Sequence, residues 1–219
     1  MATLLIESKA DYEFYLEADK IALLYNYDGE LARSYVKRNL VWRFQRLLRK
    51  VEFLENCGKG QLDRFFYLRS KNNLEKLGVI LGFAIPPNVF GPGLSIAHSG
   101  TIVVNSDSTI GENCRIHHGV TIGSGRYAPN DSPSIGNNVF IGTGAVVNGP
   151  ITIADGIAIG ANSFVNKSFS EPNITIAGCP AKQVSNKGSE NLWIRATEIL
   201  RAKVDKENRS PLNSFHRVN

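Results

Sequence analysis

The sequence has little cysteine, histidine or methionine: of 219 residues, three are Cys, four are His and one is Met. Cys57, Cys114 and Cys179 are odd in number, far apart, and without a neighbouring Cys or His at ligand spacing. That excludes a disulfide framework and a structural zinc, and leaves reduced thiols. The opening MATLLIESKADYEFYLEADK carries acidic residues early and no uninterrupted apolar run. Neither a signal peptide nor a membrane span is readable there, and a cytoplasmic protein is the expectation. Acidic residues are also missing between Arg33 and Lys50, a stretch holding Arg33, Lys37, Arg38, Arg43, Arg46, Arg49 and Lys50. It reads as a solvated helix face, with peripheral contact to a membrane or an anionic glycan as the alternative. No recognised nucleic-acid motif accompanies the charge, so no nucleic-acid partner is expected. With 42% apolar and 21% charged residues, the composition is that of an ordinary folded protein.

What the chain does have is an internal repeat. An aliphatic residue recurs every six positions, often followed by Gly: IGENCR from Ile110, IHHGVT from Ile116, IGNNVF from Ile135, IGTGAV from Ile141, VNGPIT from Val147, IADGIA from Ile153, IGANSF from Ile159 and VNKSFS from Val165. Upstream, FGPGLS at Phe90 and IAHSGT at Ile96 keep the period, and a two-residue slip precedes Ile110. A helix cannot use this pattern, because a period of six puts successive aliphatics about 600° apart on the helical wheel and scatters them. A flat sheet fails too. The pattern suits a solenoid in which each hexad is one short strand and one corner, the aliphatic points inward, and three hexads close a triangular coil. Coils then stack about 4.8 Å apart. Gly and Asn supply the corners, where positive φ is needed. Cys114, fifth in its hexad, is expected to face inward as a small hydrophobe.

The expected fold class is therefore mainly β: a parallel β-helix at residues 81–184, a helical region at 1–80, and a short helix with a tail at 185–219. In the front region, Ser8 is placed to cap a helix through DYEFYLEADKIALL. Leu40, Phe44, Leu47, Leu48, Val51 and Leu54 have helical spacing, and a third helix is expected from Leu62 to about Leu77. After the β-helix, Ser189 is placed to cap a helix carrying Trp193, Ile194, Leu200 and Val204.

With the hexads in register, GPGLSIAHSGTIVVNSDSTIGENCRIHHGVTIG and the ending ITIAGCPAKQV resemble the serine acetyltransferase branch of hexapeptide-repeat acyltransferases, across residues 85–184. The resemblance implies a left-handed β-helix assembled as a homotrimer, with acetyl-CoA as co-substrate in the groove between subunits, no metal, and a histidine base that falls on His98. As third residue of its hexad, His98 sits at a corner and not in the inward column, so its imidazole can face a ligand and take a hydroxyl proton near neutral pH. His118 follows by one coil plus the slip and should stack beside it on one edge, roughly 5 Å away. His118 and His117 are candidates for assisting or acceptor-binding roles. Thr143 and Ala161, one coil apart, are expected along the donor. The wider family implies Asn166, Lys167 and Lys182 near the pantetheine or nucleotide, where a lysine suits a phosphate. An oxyanion donor is needed, with the Gly123 and Gly142 amides as alternatives.

The chain departs from the serine enzymes where they hold the amino acid. Ala97 and Phe83 stand where carboxylates are expected, and an Arg-His pair falls near Asp131 and Ser132. A zwitterion buried without partners would cost several kcal/mol. The hexads are interrupted by SGRYAPNDSPS, where Arg126, Tyr127, Asn130 and Asp131 offer hydrogen bonding and stacking suited to sugars. The expected function is thus O-acetylation of a sugar hydroxyl, on a surface polysaccharide or a small or lipid-linked precursor. L-serine O-acetylation is the alternative, against which the front end looks short for the serine enzymes. A non-catalytic β-helix scaffold is the alternative of another class.

Overall fold

The computed structural model describes residues 5–25, 38–125 and 131–209. Among the described residues three helices come first: α1 (Lys9–Leu24), α2 (Leu40–Cys57) and α3 (Gln61–Leu81). Ser8 caps α1 as expected, its side chain accepting from the Asp11 amide at 3.1 Å. Asn39 does the same for α2 through Trp42 N at 2.9 Å. Helix α3 runs past Leu77 to Leu81, where Gly82 at φ 78° turns the chain onto the first strand.

The repeat region then winds through fourteen short strands. A five-stranded parallel face comprises β1 (Phe83–Ala84), β3 (Ile102–Val104), β6 (Thr121–Gly123), β9 (Val146–Asn148) and β12 (Phe164–Val165). A three-stranded face comprises β4 (Thr109–Ile110), β7 (Ser134–Ile135) and β10 (Thr152–Ile153). The third face comprises β2 (Ser95–Ile96), β5 (Arg115–Ile116), β8 (Phe140–Ile141), β11 (Ala158–Ile159) and β13 (Thr175–Gly178), closed by β14 (Ala181–Ser185), which turns back antiparallel. The hexad aliphatics line the interior: Ile96, Ile116, Ile122, Ile141, Val147, Ile153 and Val165 are completely buried. Each contributes about 2 kcal/mol on leaving water. The corners turn at the third residue after the inward aliphatic, with positive φ at Asn113, Gly119, Asn138, Gly144, Gly156 and Asn162. Cys114 is inside as expected, and burial pushes its thiol up to about 12.

A buried ionic network joins the helical layer to the first coil. Arg49 on α2 is fully buried, and its guanidinium donates to Asp19 (2.8 Å), Glu52 (3.0 Å) and the carbonyls of Phe90 and Gly91 (both 2.8 Å). Asp19 also accepts from the Gly93 and Leu94 amides, and Glu52 from that of Asn88. Arg49 therefore does not lie on the solvated basic face expected for this stretch. It lies one turn from the buried Gln45 and Glu52, on the inner stripe of α2. Arg38, Arg43, Arg46 and Lys50 are exposed, while Arg33 and Lys37 lie outside the described residues. Among the described residues no helix is long and apolar enough to cross a membrane.

The tail returns along the prism. Ser189 does not cap a helix: the last helix begins only at Ala196, and the Ser189 hydroxyl donates to the Asn138 carbonyl across the prism. Trp193 and Ile194 precede α4 (Ala196–Arg209), which packs against α1. Glu112 holds it there, accepting from Thr197 (2.9 Å) and Arg201 (2.6 and 2.8 Å).

Arg49→Met strands two buried carboxylates and should lose about 3–5 kcal/mol of stability. Arg43→Ala, on the exposed side, should change it by no more than about 0.5 kcal/mol. Urea unfolding followed by circular dichroism separates the two, and equal midpoints would contradict the buried network.

Candidate active site

The strand register determines what stands together. Ile96, Ile116, Ile141, Ile159 and Ile176 are successive partners across the six-stranded face. Two residues on from each, at the corner toward the five-stranded face, come His98, His118, Thr143, Ala161 and Gly178 in one line. One residue on come Ala97, His117, Gly142, Gly160 and Ala177. The expected stacking of His98 and His118 is present, with ring centroids 6.1 Å apart and edge to face. His117 joins them, its ring 6.3 Å from that of His98. His98 and His118 are exposed, and His117 is partly buried. Gly100 makes room for this cluster, since a Cβ there would lie 3.0 Å from that of His118.

The three imidazoles differ in what holds them. His117 Nδ1 lies 3.0 Å from the Ile141 carbonyl oxygen. A carbonyl only accepts, so Nδ1 carries the proton and Nε2 keeps its lone pair. Burial, then Arg115, His98 and His118, hold the His117 pKa below the ordinary histidine value, and the bond to Ile141 only partly offsets them. Among the described residues no carboxylate or carbonyl bonds the His98 ring. Phe83, where a carboxylate was expected, is buried edge-on against Phe44, with ring centroids 5.1 Å apart.

Beyond His117 the edge opens into a cleft of about 280 Å³, walled by Phe140, Thr143, Ala161, Thr175 and Leu192, with Gly142 and Gly160 in its floor. Gly142 is required there, because a Cβ would meet the Ala161 nitrogen at 2.7 Å. Its amide donates to the Ile159 carbonyl at 2.8 Å, which commits it to the strand ladder and removes it as an oxyanion donor. Thr143 and Ala161 are thus together as their spacing implied. Lys182, on β14, pairs in register with Ala177 at the far end of the same face.

Other candidates stand elsewhere on the chain. Gly123, Asn166 and Lys167 lie at the corner between the five- and three-stranded faces, a different edge from His98. Lys167 rests over the Phe169 ring at 5.3 Å. The interrupting loop leaves the coil at that same edge. Asp131 is buried at its foot, its carbonyl accepting from Gly125 N at 3.1 Å, and Ser132 bonds Asn105 at 2.9 Å. Arg126, Tyr127 and Asn130 lie outside the described residues. Both roots of the loop thus stand on a different edge from the chain's own His98. Phe140 and Leu192 were missed. Phe140 precedes an inward isoleucine, so its outward direction could be read from the period. Leu192 comes from the returning tail, which no repeat foretells.

Residues 132–167 match the family described as Bacterial transferase hexapeptide (six repeats). The chain is 34% identical over 125 residues to the serine acetyltransferase of Helicobacter pylori (strain J99 / ATCC 700824), covering 56% of this chain and 71% of that one. To the serine acetyltransferase of Staphylococcus aureus (strain Mu50 / ATCC 700699) it is 31% identical over 164 residues, covering 73% and 70%. The crystal structure of serine acetyltransferase from Brucella abortus strain S19 superposes with a TM-score of 0.67 at 25% identity, covering 83% of this chain and 72% of that one.

Nitrogen-detected NMR of the imidazoles checks the assignment at this edge. His117 should be the Nδ1–H tautomer at neutral pH and take its second proton at a lower pH than a free histidine side chain. Because the folded protein holds that proton less tightly than the unfolded chain, His117 should cost stability as the solution is acidified below the free-histidine value. An Nε2–H tautomer, or protonation above the free value, would contradict the carbonyl bond.

Proposed function

Because the chain belongs to the serine acetyltransferase family of hexapeptide-repeat acyltransferases, we propose that it moves the acetyl group of acetyl-CoA to the side-chain hydroxyl of L-serine. It is an acetyl-CoA-dependent acyltransferase. The sugar acceptor expected from the interrupting loop is withdrawn, because the relatives are serine acetyltransferases. Ala97 and Phe83 cannot pair the acceptor's ammonium, so in this reading its charges are met by other groups of the groove or by water.

The observation that carries the reading is the line of His98, His118, Thr143 and Ala161 along one edge, ending in a cleft over Gly142 and Gly160. The donor lies along the later coils with its thioester toward His98, and Lys182 is available to a phosphate at the far end. His98 is the general base. It removes the hydroxyl proton as the serine oxygen attacks the thioester carbon. The tetrahedral intermediate then collapses, breaking the carbon–sulfur bond, and the thiolate recovers the proton from the imidazolium to leave as CoA. His118, one coil on, sits beside the acceptor. The thiols of Cys57, Cys114 and Cys179, all unpaired, suit a reducing cytoplasm.

The family favours a left-handed helix, and the remaining ligands favour its assembly as a trimer. Asn166 and Lys167 occupy the edge from which the loop emerges, so they reach the donor on the histidine edge only across an interface. A groove between two prisms satisfies that requirement, and closed threefold symmetry supplies three such grooves.

Thiol release from acetyl-CoA should depend on added L-serine, with O-acetylserine detected by mass. His98→Ala should lower turnover by at least about a hundredfold with CoA affinity nearly unchanged. Serine-independent release, or full activity of His98→Ala, would overturn the reading. Light scattering should give the mass of three chains, and a fully active monomer would contradict the shared groove.

A further inference from the structure

The cleft that accepts the donor stops at His117. Its floor is the backbone of Gly142 and Gly160, and one coil earlier, at the same register position, an imidazole rises instead. That ring has little freedom to swing aside. Nδ1 is bonded to the Ile141 carbonyl at 3.0 Å, Phe140 packs against it with centroids 4.9 Å apart, and His98 stands 6.3 Å away. Behind the ring the register position belongs to Ala97, so a smaller residue at 117 would let the cleft continue toward the start of the prism.

We propose that His117 is the end wall of the acyl-CoA cleft and restricts the donor to a short, two-carbon acyl group. The inference rests on the donor lying with its thioester toward His98, as proposed above. The acetyl methyl then meets the imidazole, and a longer chain has to displace a ring fixed by a hydrogen bond and by Phe140. The wall acts through volume. Its one ring proton is already donated to Ile141, and Arg115, His98 and His118, the titratable groups facing it, all disfavour a second. A well-packed wall discriminates by roughly ten- to two-hundredfold per methylene.

Calorimetric titration of the full chain with acetyl-CoA and with butyryl-CoA, without acceptor, tests this. The native chain should bind acetyl-CoA at least about ten times more tightly, His117→Ala should bring the ratio below about three, and His117→Phe, which keeps the ring's volume but not its hydrogen bond, should preserve it. Equal binding by the native chain, an unchanged ratio in His117→Ala, or equal loss in both variants would overturn the wall. A native chain that bound neither thioester would overturn it together with the donor's placement. The predicted selectivity in a chain that failed to acetylate serine would sink the serine reading alone and leave the wall standing.

Discussion

Register along the parallel ladder is the constraint on which the rest depends. Each coil repeats an inward aliphatic on each face, and the ladder bonds hold equivalent positions of successive coils opposite one another, as with Val103 and Thr121 or Phe140 and Ala158. A short polar motif therefore becomes a column. The additions do not disturb this, because they leave at corners: Ile116 still faces Ile141 although the interrupting loop lies between them in sequence. His98, His118, Thr143 and Ala161 come together because every strand between them keeps its place, and the dry, close-packed interior makes a slip of one residue very costly.

The helical layer and the tail fix the first coils, where the histidines stand. Arg49 bonds the carbonyls of Phe90 and Gly91 while Asp19 holds the amides of Gly93 and Leu94, so the turn into β2 and His98 is bonded from both directions. One coil on along the same edge, Asn113 donates to Asn138 and Thr197, and Arg115 lies over the Trp193 ring at 3.3 Å. The tail thereby braces the coil that carries His117 and His118, and it also contributes Leu192 to the cleft.

Much of this was legible in the sequence, and what was not has physical reasons. The period of six specified the solenoid, the inward columns and the pairing of His98 with His118, since each follows from counting residues. The same counting found Thr143 and Ala161. Arg49 escaped it, because burial of a guanidinium is decided by partners thirty or more residues away, and a run without acids reads as a surface. Ser189 has the right type for a cap, but the chain stays irregular after it and the helix starts only at Ala196. The loop misled about the acceptor, because composition tells what a loop can bind and not what it does bind. His117 carried an unused signal: it fills a position that is Gly or Ala in the neighbouring coils of that face.

All the chemistry requires the donor to follow the histidine edge. A crystal structure with CoA bound decides this most directly. The sulfur should lie in contact range of His98 and His117, with the pantetheine running over Gly142 and Gly160 past Thr143 and Ala161. CoA along another edge, or with its sulfur at the β14 end of the prism, would contradict the account.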